Sequence, residues 1–276
     1  MSTASIRQLL LETWVEYGFS TLAVVLRMGV RLRMQGIRGL DWDDYLMPVA
    51  WGFLTAMSIA AAIVSSNGSN GGLGSDEVRL AIVTDTPELA AMYTYGAKLF
   101  MVGWYTYTGF LWTLKLCMLF LLKRVTQGLQ IGKIIKPLIG TVLVFWVAIL
   151  ILISSLCQPF DHYWQVYPDP GEYCTPGNSV FYVTVLIMNL MTDACIVTIP
   201  LPILIKAKMA MSKKLAVGGL LCAGVFVMIA AILRVVFVFA SPDPAQPAIW
   251  ACRETLVAML AVNAPLIAPM AKKQFW

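Results

Sequence analysis

The sequence predicts an all-α membrane protein, a polytopic bundle of seven transmembrane helices forming one domain over residues 1–276. Three observations carry that expectation. Hydrophobic residues make up 59% of the chain and charged residues 13%, about half the charged share of a soluble domain. Apolar runs recur at roughly 13–33, 45–66, 92–122, 134–157, 181–205, 215–240 and 249–270, each near or above the length that crosses a bilayer core. Finally, Lys and Arg collect on alternate connections: Arg31, Arg33 and Arg38 after span 1, Lys123, Arg124, Lys133 and Lys136 after span 3, Lys206, Lys208, Lys213 and Lys214 after span 5, and Lys272 and Lys273 after span 7. Basic loops stay on the cytosolic side, so the N-terminus is expected outside or lumenal and the C-terminus cytosolic. The expected location is the endoplasmic reticulum or plasma membrane. The net charge of +5 is explained by this loop bias, so no nucleic-acid partner is implied.

The N-terminal residues MSTASIRQLLLETW lack a basic region followed by an uninterrupted apolar stretch, so span 1 is expected to direct its own insertion. Span 1 carries Glu16 toward its outer end and Arg27 in its inner part; Glu16 is read as facing water and Arg27 as snorkelling to the cytosolic headgroups. Before span 2 stand Asp41, Asp43 and Asp44. Asp41 is placed to cap the span, with the other two in its first turn against the positive helix end. The alternative, a divalent-metal site, lacks a second acidic motif, and no metal is expected.

Outside span 2, Asn67-Gly68-Ser69 is a glycosylation sequon, and SSNGSNGGLGSDEV reads as a flexible turn. Pro87 and Glu88 fit a first helical turn, with Thr86 as cap. Span 3 then presents Lys98, Trp104, Tyr105, Trp112 and Lys115, an aromatic wall beside cations that suits an apolar or π-rich ligand.

The loop between spans 4 and 5 holds Cys157, His162, Trp164 and Cys174 and is expected to form a lid over the bundle mouth. Cys157 and Cys174 lie on the oxidising side and are the expected disulfide, with Cys252 near the outer end of span 7 as an unresolved third candidate. Cys117, Cys195 and Cys222 fall inside spans and read as small buried hydrophobes. A lone histidine gives no metal set.

In span 5, Asp193 is the only charge in the 25 residues from Phe181 to Ile205. A mid-membrane carboxylate is a functional-site candidate by default, provided it faces the bundle interior and has a partner. Asn189 lies four residues earlier on the same helical face, and Pro200 and Pro202 are placed to break the cytosolic end. Span 6 carries Arg234. Span 7 carries Arg253 and Glu254, then Asn263, Pro265 and Pro269. Adjacent residues diverge by about 100° around a helix, so Glu254 is pointed inward and Arg253 to the headgroups. Lys98, Arg234 and Glu254 are expected in the outer half above Asp193, lining a polar cavity open to the outside, with Lys98 or Arg234 as the structural partner of Asp193.

Glu12 with Arg27 and Arg31, the run Gly39 to Asp44 (GLDWDD), Cys157-Gln158-Pro159 followed by Trp164 and Cys174, Asn189 with Asp193, the Pro200/Pro202 pair and Arg234, in that order, resemble the fungal rhodopsin-domain integral membrane proteins. That group includes receptor-like pathogenicity proteins and membrane proteins of secondary-metabolite clusters such as the satratoxin cluster. The resemblance implies a seven-helix bundle with a Cys157–Cys174 bridge and leaves the activity open, since fold does not fix function.

Among function classes, a retinal protein needs a Schiff-base lysine in span 7, and none stands between Trp250 and Met270; no cofactor is expected. A secondary transporter usually shows internal repeats, which are not visible. G-protein coupling has weak support, because Leu122-Lys123-Arg124 stands where an Asp-Arg-Tyr sequence would end span 3. Two readings remain. One is a membrane protein of secondary metabolism that binds a lipid-soluble polyketide or terpenoid and cyclises or isomerises it, with Asp193 or Glu254 exchanging protons. In that reading Lys98, Trp104, Tyr105, Trp112, Asn189 and Arg234 form the binding wall. The other is a receptor-like sensor of a small extracellular ligand.

Overall fold

The computed structural model describes residues 3–126, 132–174, 178–201, 211–241, 243 and 245–271. Pro202, Lys206, Lys208, Lys272 and Lys273 lie outside them, as do the side chains of Lys213, Lys214 and Pro269. The described chain is all-helical: α1 (Thr3–Gln35), α2 (Trp42–Asn67), α3 (Asp76–Asp85), α4 (Pro87–Val125), α5 (Gly132–Ser155), α6 (Ser179–Thr198), α7 (Met211–Ala240) and α8 (Ala245–Ile267), joined by short 3-10 turns. Six of these, all but α3 and α8, are long and apolar enough to cross a membrane, which makes this a multi-pass membrane protein whose surroundings are a lipid bilayer. α8, the seventh expected span, has 23 residues and carries Arg253, Glu254 and Asn263.

Five of the six apolar helices bury one stripe and turn their apolar remainder outward, while α4 is enclosed on nearly all sides. On α1 the buried residues are Leu9, Thr13, Ser20, Ala23, Val24, Arg27, Val30 and Arg31, a three-four spacing. Leu11, Val15, Phe19, Leu22 and Val25 face away from the bundle. The same division holds on α6, where Phe181, Tyr182, Val185, Asn189, Thr192 and Ile196 point in and Val180, Val183, Ile187 and Met191 point out. Apolar residues facing outward are what a lipid solvent permits, because lipid gives no drive to bury leucine. Cys195 and Cys222, expected as buried hydrophobes, accordingly face outward, whereas Cys117 is buried.

α4 is the central element. A Cβ on its Gly96 would stand 1.8 Å from the Gly68 carbonyl oxygen, so α4 passes the end of α2 at a distance only glycine permits. Asn67, the expected glycosylation acceptor, is the last residue of α2 and sits half-buried at this crossing. Pro87 opens α4 at its first position, and Thr86 precedes it as expected. The Thr86 hydroxyl, however, donates back to the Ile82 carbonyl (3.1 Å) and caps nothing. Ile82 belongs to α3, a ten-residue helix that the glycine-rich sequence before it conceals.

The segment between α5 and α6 is a lid, closed by the expected Cys157–Cys174 disulfide. Cys252 is not part of it; its thiol lies 3.5 Å from the Thr13 hydroxyl. Asn70 donates to the carbonyls of Tyr163 and Gln165 (both 3.0 Å), and Arg79 of α3 donates to that of Val166 (3.1 Å). The Tyr163 hydroxyl donates to the Ile153 carbonyl (2.8 Å), and burial raises its pKa above the ordinary 10.0. Replacing Cys157 by serine opens a loop with a sequence separation of 17 and is expected to cost about 3 kcal/mol. Thermal melting with and without reductant measures it; a reductant-sensitive wild type and an insensitive variant are the expected result.

At the other side of this end, Asp243 accepts from the Ser5 hydroxyl (2.6 Å) and from the Ala245 backbone N–H (3.0 Å), tying α1 to the start of α8. These two bonds, the hydroxyl first, hold the Asp243 carboxyl below its ordinary 3.8. A carboxyl depressed in the folded state stabilises the fold above its unfolded pKa, and the contribution is lost as pH falls through the depressed value.

Candidate functional site

Six side chains from four helices form a continuous polar layer in the apolar interior. Tyr107 and Lys115 come from α4, Asn189 and Asp193 from α6, Arg234 from α7 and Glu254 from α8. Glu254 is fully buried. It accepts from the Tyr107 hydroxyl (2.9 Å), from Arg234 Nε (3.3 Å) and from Asn189 Nδ2 (3.4 Å). The Arg234 guanidinium lies over the rings of Tyr107 (4.8 Å) and Trp104 (5.7 Å). Lys115 donates to the Asn189 backbone carbonyl (3.2 Å) and is bonded to Asp193. Two basic and two acidic side chains thus share the layer in matched numbers and in direct contact, the arrangement in which such groups are tolerated away from water.

The rotational argument for span 7 is reproduced: Glu254 points in, while Arg253 lies at the surface with Glu12 (3.2 Å) and the Trp250 ring. Asp193 has a cationic partner, but it is Lys115 rather than Lys98 or Arg234. Lys98 stands 17 residues earlier on α4, about 25 Å away at the helical rise, and lies over Trp164 of the lid (5.3 Å). Tyr105 also stays outside the layer, its hydroxyl 2.8 Å from that of Ser154 on α5. Trp112 is fully buried and packs its ring 5.5 Å from the Lys115 ammonium. The sequence signal for Lys115 is the one that singled out Asp193: it is the single charge between Lys98 and Lys123.

Arg27 does not snorkel. It is fully buried and donates to Asp43 (2.7 Å) and Asp44 (3.1 Å). Arg31 holds Asp44 (2.6 Å) and Asp41 (3.1 Å), and Arg124 of α4 reaches Asp41 (2.6 Å). Oxygens of the three carboxylates lie within 4.8 Å of one another, with guanidinium groups as their partners. The Asp41 backbone N–H donates to Asp44 (3.1 Å), so the start of α2 is fixed as the cap reading expects. This network fastens α1, α2 and α4 at the end away from the lid.

The cavity beside the polar layer differs from the expected one. On the lid side Trp104 meets Phe181, Tyr182 and Tyr107 edge to face at 4.5–5.7 Å between centroids, leaving a cavity of about 30 Å³ under Tyr163 and Cys174. Asp193 instead lines a cavity of about 80 Å³ between α4, α6, α7 and α8, toward the far end of α6. Leu114, Met118, Ile196 and Val262 supply apolar walls, Lys115, Asn189 and Asp193 the polar corner, and Pro200 lies at the rim. α6 ends at Thr198, just before Pro200, as the proline predicts.

No curated protein and no solved structure matches the sequence significantly. A family model described as the fungal rhodopsin domain matches residues 26–273, which takes in the buried network, the lid disulfide and the polar layer. The chain therefore belongs to the fungal rhodopsin domain family.

Proposed function

We propose that the chain is a membrane-embedded binding protein for a lipid-soluble small molecule, taken up between α4, α6, α7 and α8. In this reading residues 1–276 form one seven-helix domain in the endoplasmic reticulum or plasma membrane. α8 is the seventh span, the N-terminus and the Asn67 sequon lie outside or lumenal, and the lid faces that side. The alternation of Lys and Arg along the sequence supports the orientation.

The observation that carries the reading is the apolar cavity with a charged pair on its wall. A buried pair is a poor source of stability, because desolvation offsets most of its attraction, so its position on a cavity wall points to a ligand. Asp193 paired with Lys115 favours recognition over acid catalysis, because one carboxylate oxygen is already engaged by the ammonium and is not open to a ligand. Glu254, with Arg234, Tyr107 and Asn189 on its oxygens, does not line the cavity. A sensor of a small molecule is therefore the leading form. The secondary-metabolism form keeps one specific support, the unpartnered Oδ2 of Asp193, which is a proton acceptor at the cavity. G-protein coupling has no residue of its own to support it.

Gene deletion separates the two forms. The sensor form predicts an unchanged metabolite profile and loss of a response to an external compound, restored by the wild-type gene and not by a chain with the cavity filled by Ala258→Leu. A missing metabolite with an accumulated precursor would move the assignment to biosynthesis, and loss of neither would refute both.

A further inference from the structure

The polar corner of the cavity has an uneven hydrogen-bond inventory. The Lys115 ammonium has three N–H groups and three partners in reach: Asp193, the Asn189 carbonyl and the face of Trp112. Its donors are used. Among the described residues, the side-chain atoms left without a partner on the cavity lining are Asp193 Oδ2 and Asn189 Oδ1, both buried. Asn189 itself is 1% exposed. Its NH₂ faces the Glu254 carboxylate (3.4 Å), which fixes the oxygen on the other side of the amide. Both free atoms accept hydrogen bonds, and they belong to residues one turn apart on the same face of α6.

A buried acceptor without a donor costs about 1–3 kcal/mol, more when it is charged, so a ligand carrying a donor gains most here. Charge narrows the class further. Lys115 and Asp193 cancel, and an ionic ligand would bring an unmatched charge into apolar surroundings. Size narrows it again. The cavity holds about 80 Å³, well below the ~300–1,000 Å³ of a site that encloses a drug-sized molecule. It takes one end of a ligand, whose apolar remainder lies along the half-buried Val197 and Leu221 at the α6–α7 side.

Resting on the binding reading above, we infer that this site takes the hydroxyl end of a neutral, lipid-soluble alcohol, its O–H donating to the free acceptor of Asp193. Such a group can belong to a hydroxylated lipid of the bilayer or to an alcohol arriving from outside.

The test uses the full chain in phosphatidylcholine nanodiscs, with tritiated 1-dodecanol binding read by scintillation proximity against empty nanodiscs. Unlabelled 1-dodecanol, its methyl ether and dodecanoate serve as competitors. Saturable binding is expected, with the alcohol competing about tenfold or more better than the ether and dodecanoate weakest. In Asp193→Asn the amide keeps its carbonyl on Lys115 and turns NH₂ to the cavity, so the alcohol-to-ether ratio falls toward one. Ala258→Leu, on the cavity wall, abolishes binding of all three with thermal melting unchanged. Alcohol and ether competing equally, with Ala258→Leu still blocking both, overturns the hydroxyl assignment and keeps the cavity as a binding site. Dodecanoate competing best overturns it too. No saturable binding of any of the three overturns the binding reading itself. Cholesterol added to the nanodiscs separates the sources: competition identifies a bilayer sterol as the ligand type, and its absence leaves an external alcohol.

Discussion

Replacing Arg27 by methionine is expected to lower the stability of the folded bundle by about 3–5 kcal/mol, the cost of removing one partner from a buried ion pair. The pairing pattern sets this size. Arg27 is completely buried, and it is the guanidinium bonded to Asp43 (2.7 Å), which is itself 1% exposed. Asp44 keeps Arg31 at 2.6 Å, so most of the loss comes from Asp43. The double variant Arg27→Met/Asp43→Leu therefore recovers the greater part. Thermal melting in nanodiscs reads both. A single variant within about 1 kcal/mol of wild type, or a double variant worse than the single, would show that the network contributes no buried pairing energy.

Glu254→Leu is expected to have a comparable effect in the polar layer. It takes one acceptor from three donors at once, the Tyr107 hydroxyl, Arg234 Nε and Asn189 Nδ2, and leaves Arg234 charged at 3% exposure. A loss of about 3–5 kcal/mol follows. Adding Arg234→Met removes the stranded charge and restores much of it, leaving about 1 kcal/mol for each neutral donor still unpaired. A double-mutant cycle measures the coupling directly. Additive losses would mean that Arg234 and Glu254 are neighbours without a shared energy. Arg234→Met touches no residue that lines the α6 cavity, whereas Glu254→Leu also releases the Asn189 amide at its polar corner, so ligand binding is scored on Arg234→Met and melting temperature on both.

What the sequence made legible was set by depth along a helix, and what it hid was rotation about the axis. Apolar length located the six most apolar helices, Pro200 marked the end of α6, and the Arg253–Glu254 neighbour rule assigned one residue inward and one outward. Depth also picked Asp193. Its partner was missed because Lys98 and Lys115 look alike as cations on one long helix, and only their 17-residue separation along α4 tells them apart. Arg27 is ambiguous for a related reason: an arginine in the inner part of a span can reach headgroups or aspartates, and Asp43 and Asp44 in a first helical turn fit the helix dipole equally well. α3 was hidden by the glycine-rich run before it, although Ser75 with Asp76 and Glu77 is a helix-start pattern. On the lid side only a small cavity of about 30 Å³ is left, with Trp104, Phe181 and Tyr163 on its wall, so little of the expected outward cavity was legible from depth alone.

The enclosure of α4 bears on how the chain is made. In its most apolar 18-residue window 89% of the residues are buried, against 22–33% for the other five apolar helices. Lipid therefore hardly solvates it, while a mid-span lysine costs about 2.5–3.5 kcal/mol on an insertion scale. During biogenesis the acidic partner Asp193 is still unsynthesised when α4 leaves the ribosome. α1 and α2 are already present, with the glycine-lined crossing at Gly96 and the Asp41 contact to Arg124 ready to receive it. α2, which packs along α4 at the Gly68–Gly96 crossing and through Asp41–Arg124, is thus the earlier helix placed to cover α4 before α6 brings Asp193 to Lys115.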